Sequence, residues 1–294
     1  MNFIKNKIKI FIRNIKHLIR LFNEKEIPKK SIYKSNIAIE DFSYFNYGIF
    51  NKNPNLLLSS NYEKITTTRM REFNKMFSYL NNFNVFFFNH KDRDKYMKKY
   101  WSSHPIYDLY KRSLFQQMKS DVFRYCFIYD NGGYWIDFKS TILFKVDELM
   151  IDNQENLLIS SPSKIPKQYK FLKDKSIFKF TEGKVINNWV FGAKKKSTFL
   201  KYLIENISKD YLKYINQNFP NPKEAILELT GPYKITKMFY KYLTEDKSKI
   251  NEFCIVNESE YEFHYISDFG RNFKLTDNVT QKHYSNVENK KIIK

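Results

Sequence analysis

Seven apolar residues open the chain at helical spacing: Ile4, Ile8, Phe11, Ile12, Ile15, Ile19 and Phe22 recur about every 3.6 residues. Lys5, Lys9, Arg13, Lys16 and Arg20 fall largely on the other faces, and no acid precedes Glu24. The pattern predicts a basic amphipathic helix over residues 1–22, within an arm of residues 1–25 that precedes a single body at 26–294. An anionic membrane surface would bury the apolar stripe, each nearby Lys or Arg adding about 1 kcal/mol. Packing on the chain's own body is the alternative reading of the same stripe.

Beyond Pro28 short apolar runs alternate with longer amphipathic ones. Leu56-Leu57-Leu58 and Val85-Phe86-Phe87-Phe88 read as buried strands, and Thr66 to Leu80 reads as the helix between them, its threonines suited to capping. Strand, helix and strand with short joins is a βαβ unit, so the pattern predicts an α/β fold with a mostly parallel sheet flanked by helices. A helix from Leu109 to Tyr129 would set Met118, Val122, Cys126 and Tyr129 on one face. It would stop at Asp130-Asn131-Gly132-Gly133, where Gly supplies a left-handed turn. A strand then follows at Tyr134–Phe138, with Asp137 near its end, and ligands of open α/β sheets sit beyond the carboxyl ends of strands. Ser160 to Lys175, with two Pro and many Lys, reads as a surface insertion. Glu224 and Glu228 fall four apart in a helix that ends before Thr230, and their default reading is helix surface.

Composition changes this picture in a few places. Of 294 residues 42% are hydrophobic and 18% aromatic, which suits a sizeable core and not a disordered chain. Trp101, Trp135 and Trp189 are expected to belong to that core rather than to stack on a ligand. The net charge is +20 and nearly all of the excess is Lys. Because Lys, Asn, Ile, Phe and Tyr rise together, as an AT-rich genome would impose, and because Lys is spread along the whole chain, no basic patch stands out and no nucleic acid partner is expected. Seven Gly with one close pair exclude the G-x-G-x-x-G and P-loop spacings. Cys126 and Cys254 stand apart and the five His show no ligand spacing, which speaks against a disulfide scaffold or a zinc site and for a reducing, cytoplasmic setting. No apolar run approaches the roughly 18 residues of a membrane span, and the arm lacks the features of a secretory signal.

Chemistry concentrates in one stretch. In Lys119-Ser120-Asp121-Val122-Phe123-Arg124-Tyr125 the acid and the base stand three apart and project from one helical face. An ordinary ion pair explains them alone, but within twenty residues they are followed by the double-Gly turn and by Asp137. The run SDVFRYCFIYDNGGYWIDFKSTILF resembles the sugar-binding region of glycosyltransferases with the DXD motif, in particular family 32 and the capsular polysaccharide synthesis proteins. Weaker matches follow in order along the chain: Ile27-Pro28-Lys29-Lys30, Asn187-Asn188-Trp189-Val190-Phe191-Gly192-Ala193, Thr230-Gly231-Pro232 and His283, so the resemblance spans about residues 27–284.

The resemblance implies a GT-A type, Rossmann-like fold and retaining transfer of a sugar from a nucleotide-diphosphate donor, a UDP- or GDP-sugar, to a glycan or lipid-linked acceptor. It further implies that Asp121 and Arg124, with the Gly132-Gly133 turn, hold the donor sugar, that Asp137 meets ribose and the metal region, that Asn187 or Asn188 lines the reacting centre, and that His283 reaches the pyrophosphate or its ion. The setting it implies is bacterial surface polysaccharide synthesis, capsule or lipooligosaccharide, at the inner face of the cytoplasmic membrane. One position departs from the pattern. The second Asp of the motif, ordinarily the direct ligand of Mn2+ or Mg2+, is here Lys139. Leaving-group charge can be met by a metal or by a fixed cation. Three readings stay open: Lys139 replaces the metal, Asp137 and His283 still hold an ion, or the donor site is inactive and the protein is a sugar-binding or scaffolding component of the assembly machinery.

Overall fold

The computed structural model describes residues 26–28, 55–59, 64–66, 83–88, 90–137, 140–142, 154–165, 177, 179–258, 263–265 and 289–294. The expected N-terminal amphipathic helix, Lys139 and His283 all lie outside these residues, as does the expected helix after Thr66 itself, which ends a short strand. In chain order the elements are β1 (Glu26–Pro28), β2 (Asn55–Ser59), β3 (Lys64–Thr66), β4 (Asn84–Phe88), α1 (His90–Trp101), α2 (Pro105–Arg112), α3 (Gln116–Asn131), β5 (Gly133–Asp137) and β6 (Ser140–Ile142). There follow β7 (Asn156–Lys164), β8 (Lys184–Ala193), α4 (Thr198–Asp210), β9 (Asn218–Phe219), α5 (Pro222–Leu229), α6 (Pro232–Glu245), β10 (Phe253–Asn257), β11 (Phe263–Tyr265) and β12 (Lys290–Lys291).

Six strands make the central sheet, in the order β10-β7-β8-β5-β2-β4. All run the same way except β8, which is antiparallel to both neighbours. The expected parallel pairing of the first two apolar runs is present, with Leu56 opposite Val85 and Leu58 opposite Phe87. Ser59 lies opposite both Phe88 and Asp137, so the carboxyl ends of β4, β2 and β5 finish level on one edge. Apolar side chains are buried on both faces of the inner strands: Trp135, Phe191 and Leu158 pack with the helices, while Ile136, Val190 and Leu157 are buried outside that cluster. That double burial explains why these strands read as continuous apolar runs without alternation.

Where one helix was expected from Leu109 to Tyr129, the chain forms two, α2 and α3, with Ser113–Phe115 between them. The C-terminal tail is the cause. Ile292 and Ile293 are fully buried, the amide of Leu114 donates to the Ile292 carbonyl at 3.0 Å, and Ser113 bridges Ile293 as in an antiparallel pair. The Ser113 hydroxyl also donates to the Leu109 carbonyl at 2.7 Å, closing the end of α2. A backbone recruited by a distant strand cannot stay helical, and no local spacing announces that competition. The expected strand Tyr134–Phe138 begins one residue earlier, at Gly133, and ends at Asp137. The expected insertion at Ser160 instead starts inside β7, whose last residues, Pro162 to Lys164, are exposed; residues 166–176 lie outside the described set.

Candidate functional site

The helix–turn–strand unit from Ser120 to Asp137 folds the site upon itself. Gly132 and Gly133 take φ values of 68° and 119°, a reversal that side chains with a Cβ resist, and the Gly132 amide closes α3 on the Ile128 carbonyl at 2.7 Å. From Asp121 down α3 the chain travels about 15 Å, and β5 brings it back by about 16 Å, given rises of about 1.5 and 3.3 Å per residue. Asp137 therefore returns alongside the helix turn that carries Asp121 and Arg124.

Arg124 joins the two acids. One of its terminal nitrogens lies 3.0 Å from Asp137 Oδ1 and the other 3.3 Å from Asp121 Oδ1. Its remaining donors meet the Asn188 carbonyl, the Ser120 carbonyl and the Ser120 hydroxyl. A guanidinium has five N–H groups, and here five acceptors surround them. Its plane also lies over the Trp135 ring, 4.7 Å from the centroid, and the Trp135 indole donates to Asp137 Oδ1 at 2.8 Å. Arg124 is thus a positioning residue in this geometry: it sets both carboxylates.

Asp121 is held as firmly. Asn188 Nδ2 donates to its Oδ1 at 2.9 Å and the Thr230 hydroxyl to its Oδ2 at 3.0 Å, while Tyr125 ties its own hydroxyl to the Thr230 carbonyl at 2.9 Å. Burial raises the Asp121 pKa from 3.8 to about 7; Arg124 pulls it down, Asp137 pushes it up, and the Thr230 and Asn188 hydrogen bonds lower it. Asp137 is the opening of the cluster. Its side chain keeps a third of its surface exposed, against 9% for Asp121.

Asn187 and Asn188 sit in an irregular stretch of β8. Leu158 pairs with Phe191 and Ser160 with Ile186, so that β7 advances two residues while β8 advances five. Such bulges re-aim side chains and collect beside active sites. Here one asparagine turns to Asp121, and the other donates from Nδ2 to Glu258 Oε2 at 2.7 Å.

This geometry coincides with a recognised region. Residues 66–156 match the model described as the glycosyltransferase sugar-binding region containing the DXD motif. The matched stretch holds Asp121, Arg124, Gly132, Gly133 and Asp137, whereas Asn187, Asn188, Thr230 and Glu258 lie beyond it. No curated protein matches the chain. Among solved structures it resembles one titled PaToxG Glycosyltransferase, with 12% identity and a TM-score of 0.46 over 84% of this chain and 81% of that one.

The expected donor-sugar residues Asp121, Arg124, Gly132 and Gly133 lie in one helix–turn–strand unit with Asp137, and Asn188 joins them; Asn187 bonds to Glu258 instead. A divalent metal, which the DXD motif implies, finds little to hold it among the described residues. Asp137 offers Oδ2, its Oδ1 being taken by Arg124 and Trp135, and no group of three His, Cys, Asp or Glu is assembled there. Two contributors to the site, Thr230 and Trp135, escape the sequence pattern, as does Glu258 beside it. Thr230 shows there only as part of a turn, Trp135 reads as core, and Glu258 carries no signal beyond being an acid after a strand. Trp135 is in fact fully buried, and its ring and its indole N–H serve the site from that position. Trp101 is buried too, whereas Trp189 is half-buried.

Proposed function

We propose that the protein is a retaining glycosyltransferase of GT-A type that takes a UDP- or GDP-sugar as donor and a glycan or lipid-linked acceptor, in bacterial surface polysaccharide synthesis. The observation that carries the reading is the buried Asp121–Arg124–Asp137 cluster at the carboxyl edge of the sheet. Sugar hydroxyls both donate and accept, and a cluster with carboxylate lone pairs at its opening suits donating hydroxyls. In this reading Asp121 and Asp137 hold the donor sugar and ribose, Arg124 fixes their geometry, and Asn188 closes the floor of the reacting centre. The attacking group is the acceptor hydroxyl, and its proton passes to the departing diphosphate oxygen, so no side chain acts as general base.

Positive charge against the departing diphosphate would come from Lys139 in one version, and in the other Asp137 and His283 would hold a Mn2+ or Mg2+ ion able to supply it. The basic arm at residues 1–22 would carry the enzyme to the inner face of the cytoplasmic membrane as a peripheral protein, where lipid-linked acceptors are found. Liposome sedimentation of the full chain against a chain starting at Glu26 tests that part: equal sedimentation contradicts it. No helix among the described residues is long and apolar enough to cross a membrane.

The experiment for the central reading is acceptor-independent donor hydrolysis, measured over UDP-, GDP- and CMP-sugars, with Mn2+ and with EDTA. Hydrolysis of a UDP- or GDP-sugar is the expected result. Its survival in EDTA assigns the leaving-group charge to Lys139, and its loss assigns it to an ion. Binding of a nucleotide sugar without any cleavage would instead favour the reading as a sugar-binding or scaffolding protein.

A further inference from the structure

On the side of the bulge away from Asp121 stands a carboxylate that no cation among the described residues answers. Glu258 is half-buried and directly follows β10, whose last residue, Asn257, pairs with Ser160; Ser160 pairs in turn with Ile186, just before the bulge. Asn187, the residue after Ile186, reaches across β7 and donates to Glu258 Oε2 at 2.7 Å. Asp121, the carboxylate on the other side of the bulge, has Arg124 as its charged partner at 3.3 Å. Among the described residues Glu258 forms no ion pair, although the chain carries a net charge of +20. Burial raises its pKa and the Asn187 hydrogen bond lowers it.

We infer that Glu258 is an acceptor-binding residue: it takes hydrogen bonds from hydroxyls of an acceptor sugar, and Asn187 positions it. The inference rests on the glycosyltransferase reading above and adds the substrate class of its second site. Transfer needs two substrates at one point, and the bulge presents consecutive residues to two carboxylates. Asn188 serves the Asp121 cluster on the β5 side, and Asn187 serves Glu258 on the β10 side, across β7. A carboxylate that accepts one neutral amide N–H keeps further lone pairs, and it accepts but does not donate. Paired hydroxyls of a pyranose are the complementary chemistry. A hydrogen bond to a charged group contributes about 1.5–3 kcal/mol, which corresponds to about 10- to 150-fold.

The test separates transfer from hydrolysis. The probes are the UDP- and GDP-sugar panel as donors and a panel of methyl pyranosides as acceptors, followed in the full-length wild type, Glu258→Gln and Glu258→Asp, each checked by thermal melting. The expected result is that Glu258→Gln lowers the ratio of transfer to hydrolysis at least tenfold through a raised acceptor KM, and that Glu258→Asp restores part of it. Asn187→Ala should move the ratio the same way by a smaller factor. Transfer and hydrolysis falling together, or neither falling, overturns the inference, and if Glu258→Gln melts early the same comparison is made with Glu258→Asp. A wild type that hydrolyses donor but glycosylates no pyranoside also overturns it, and points to a non-sugar acceptor. A wild type that hydrolyses no donor overturns the transferase reading itself.

Discussion

Asp121 sits at 7% exposure with its pKa raised to about 7, so the folded protein holds that proton where the unfolded chain, near 3.8, has lost it. Stability contributed by a raised acid is present below the unfolded value and falls as pH rises through the window from about 4 to about 7. Thermal melting of wild type and Asp121→Asn across that window should show the wild type losing stability relative to the variant as pH rises; parallel curves would contradict the raised pKa. Arg124→Ala removes the only cation that Asp121 and Asp137 share among the described residues, and breaking a buried pair from one side costs about 3–5 kcal/mol. Denaturant unfolding should show a loss of that order, with donor hydrolysis abolished. These two residues were legible because helical spacing alone places them on one face. Thr230 was not, because its hydroxyl reaches Asp121 across 109 residues, a closure made by tertiary packing of α5 and α6.

At the scale of elements, two joints position the site. Gly231 lies between α5 and α6, and a Cβ there would stand 2.8 Å from the Leu227 Cα and 3.2 Å from its carbonyl oxygen. Backbone cannot yield as a side chain does, so Gly231→Ala should cost about 1–3 kcal/mol as overpacking. Because Thr230 is the preceding residue, hydrolysis should weaken as well, and full activity with wild-type melting would contradict the close approach. The second joint is the C-terminal tail that separates α2 from α3. Ile293→Ala should lower stability by about 2–5 kcal/mol, the range for buried Ile truncation, as read by denaturant unfolding. The parallel strands and the Gly132-Gly133 turn were legible, since apolar runs and glycine pairs are local signals. The break at Ser113 and the β8 bulge were not, because a tail from the far end of the chain causes one and a register mismatch with β7 defines the other.

For the whole molecule, one edge of a sheet collects chemistry drawn from distant segments. β5 delivers Asp137, α3 delivers Asp121 and Arg124, the β8 bulge delivers both asparagines, and the end of β10 delivers Glu258. The α/β class was readable from alternating runs, and the carboxyl-edge location from Asp137 at a strand end. The proposed division into a donor side and an acceptor side rests on the strand order β10-β7-β8-β5, which pairs residues that no sequence distance relates. The central claim is that the Asp121 cluster grips the sugar of the donor. Calorimetric binding of a UDP- or GDP-sugar and of the matching nucleoside diphosphate, to wild type and to Asp121→Asn, addresses it most directly. The account predicts that wild type binds the nucleotide sugar at least tenfold more tightly than the diphosphate, and that Asp121→Asn loses this preference. An equal preference in both proteins would contradict it.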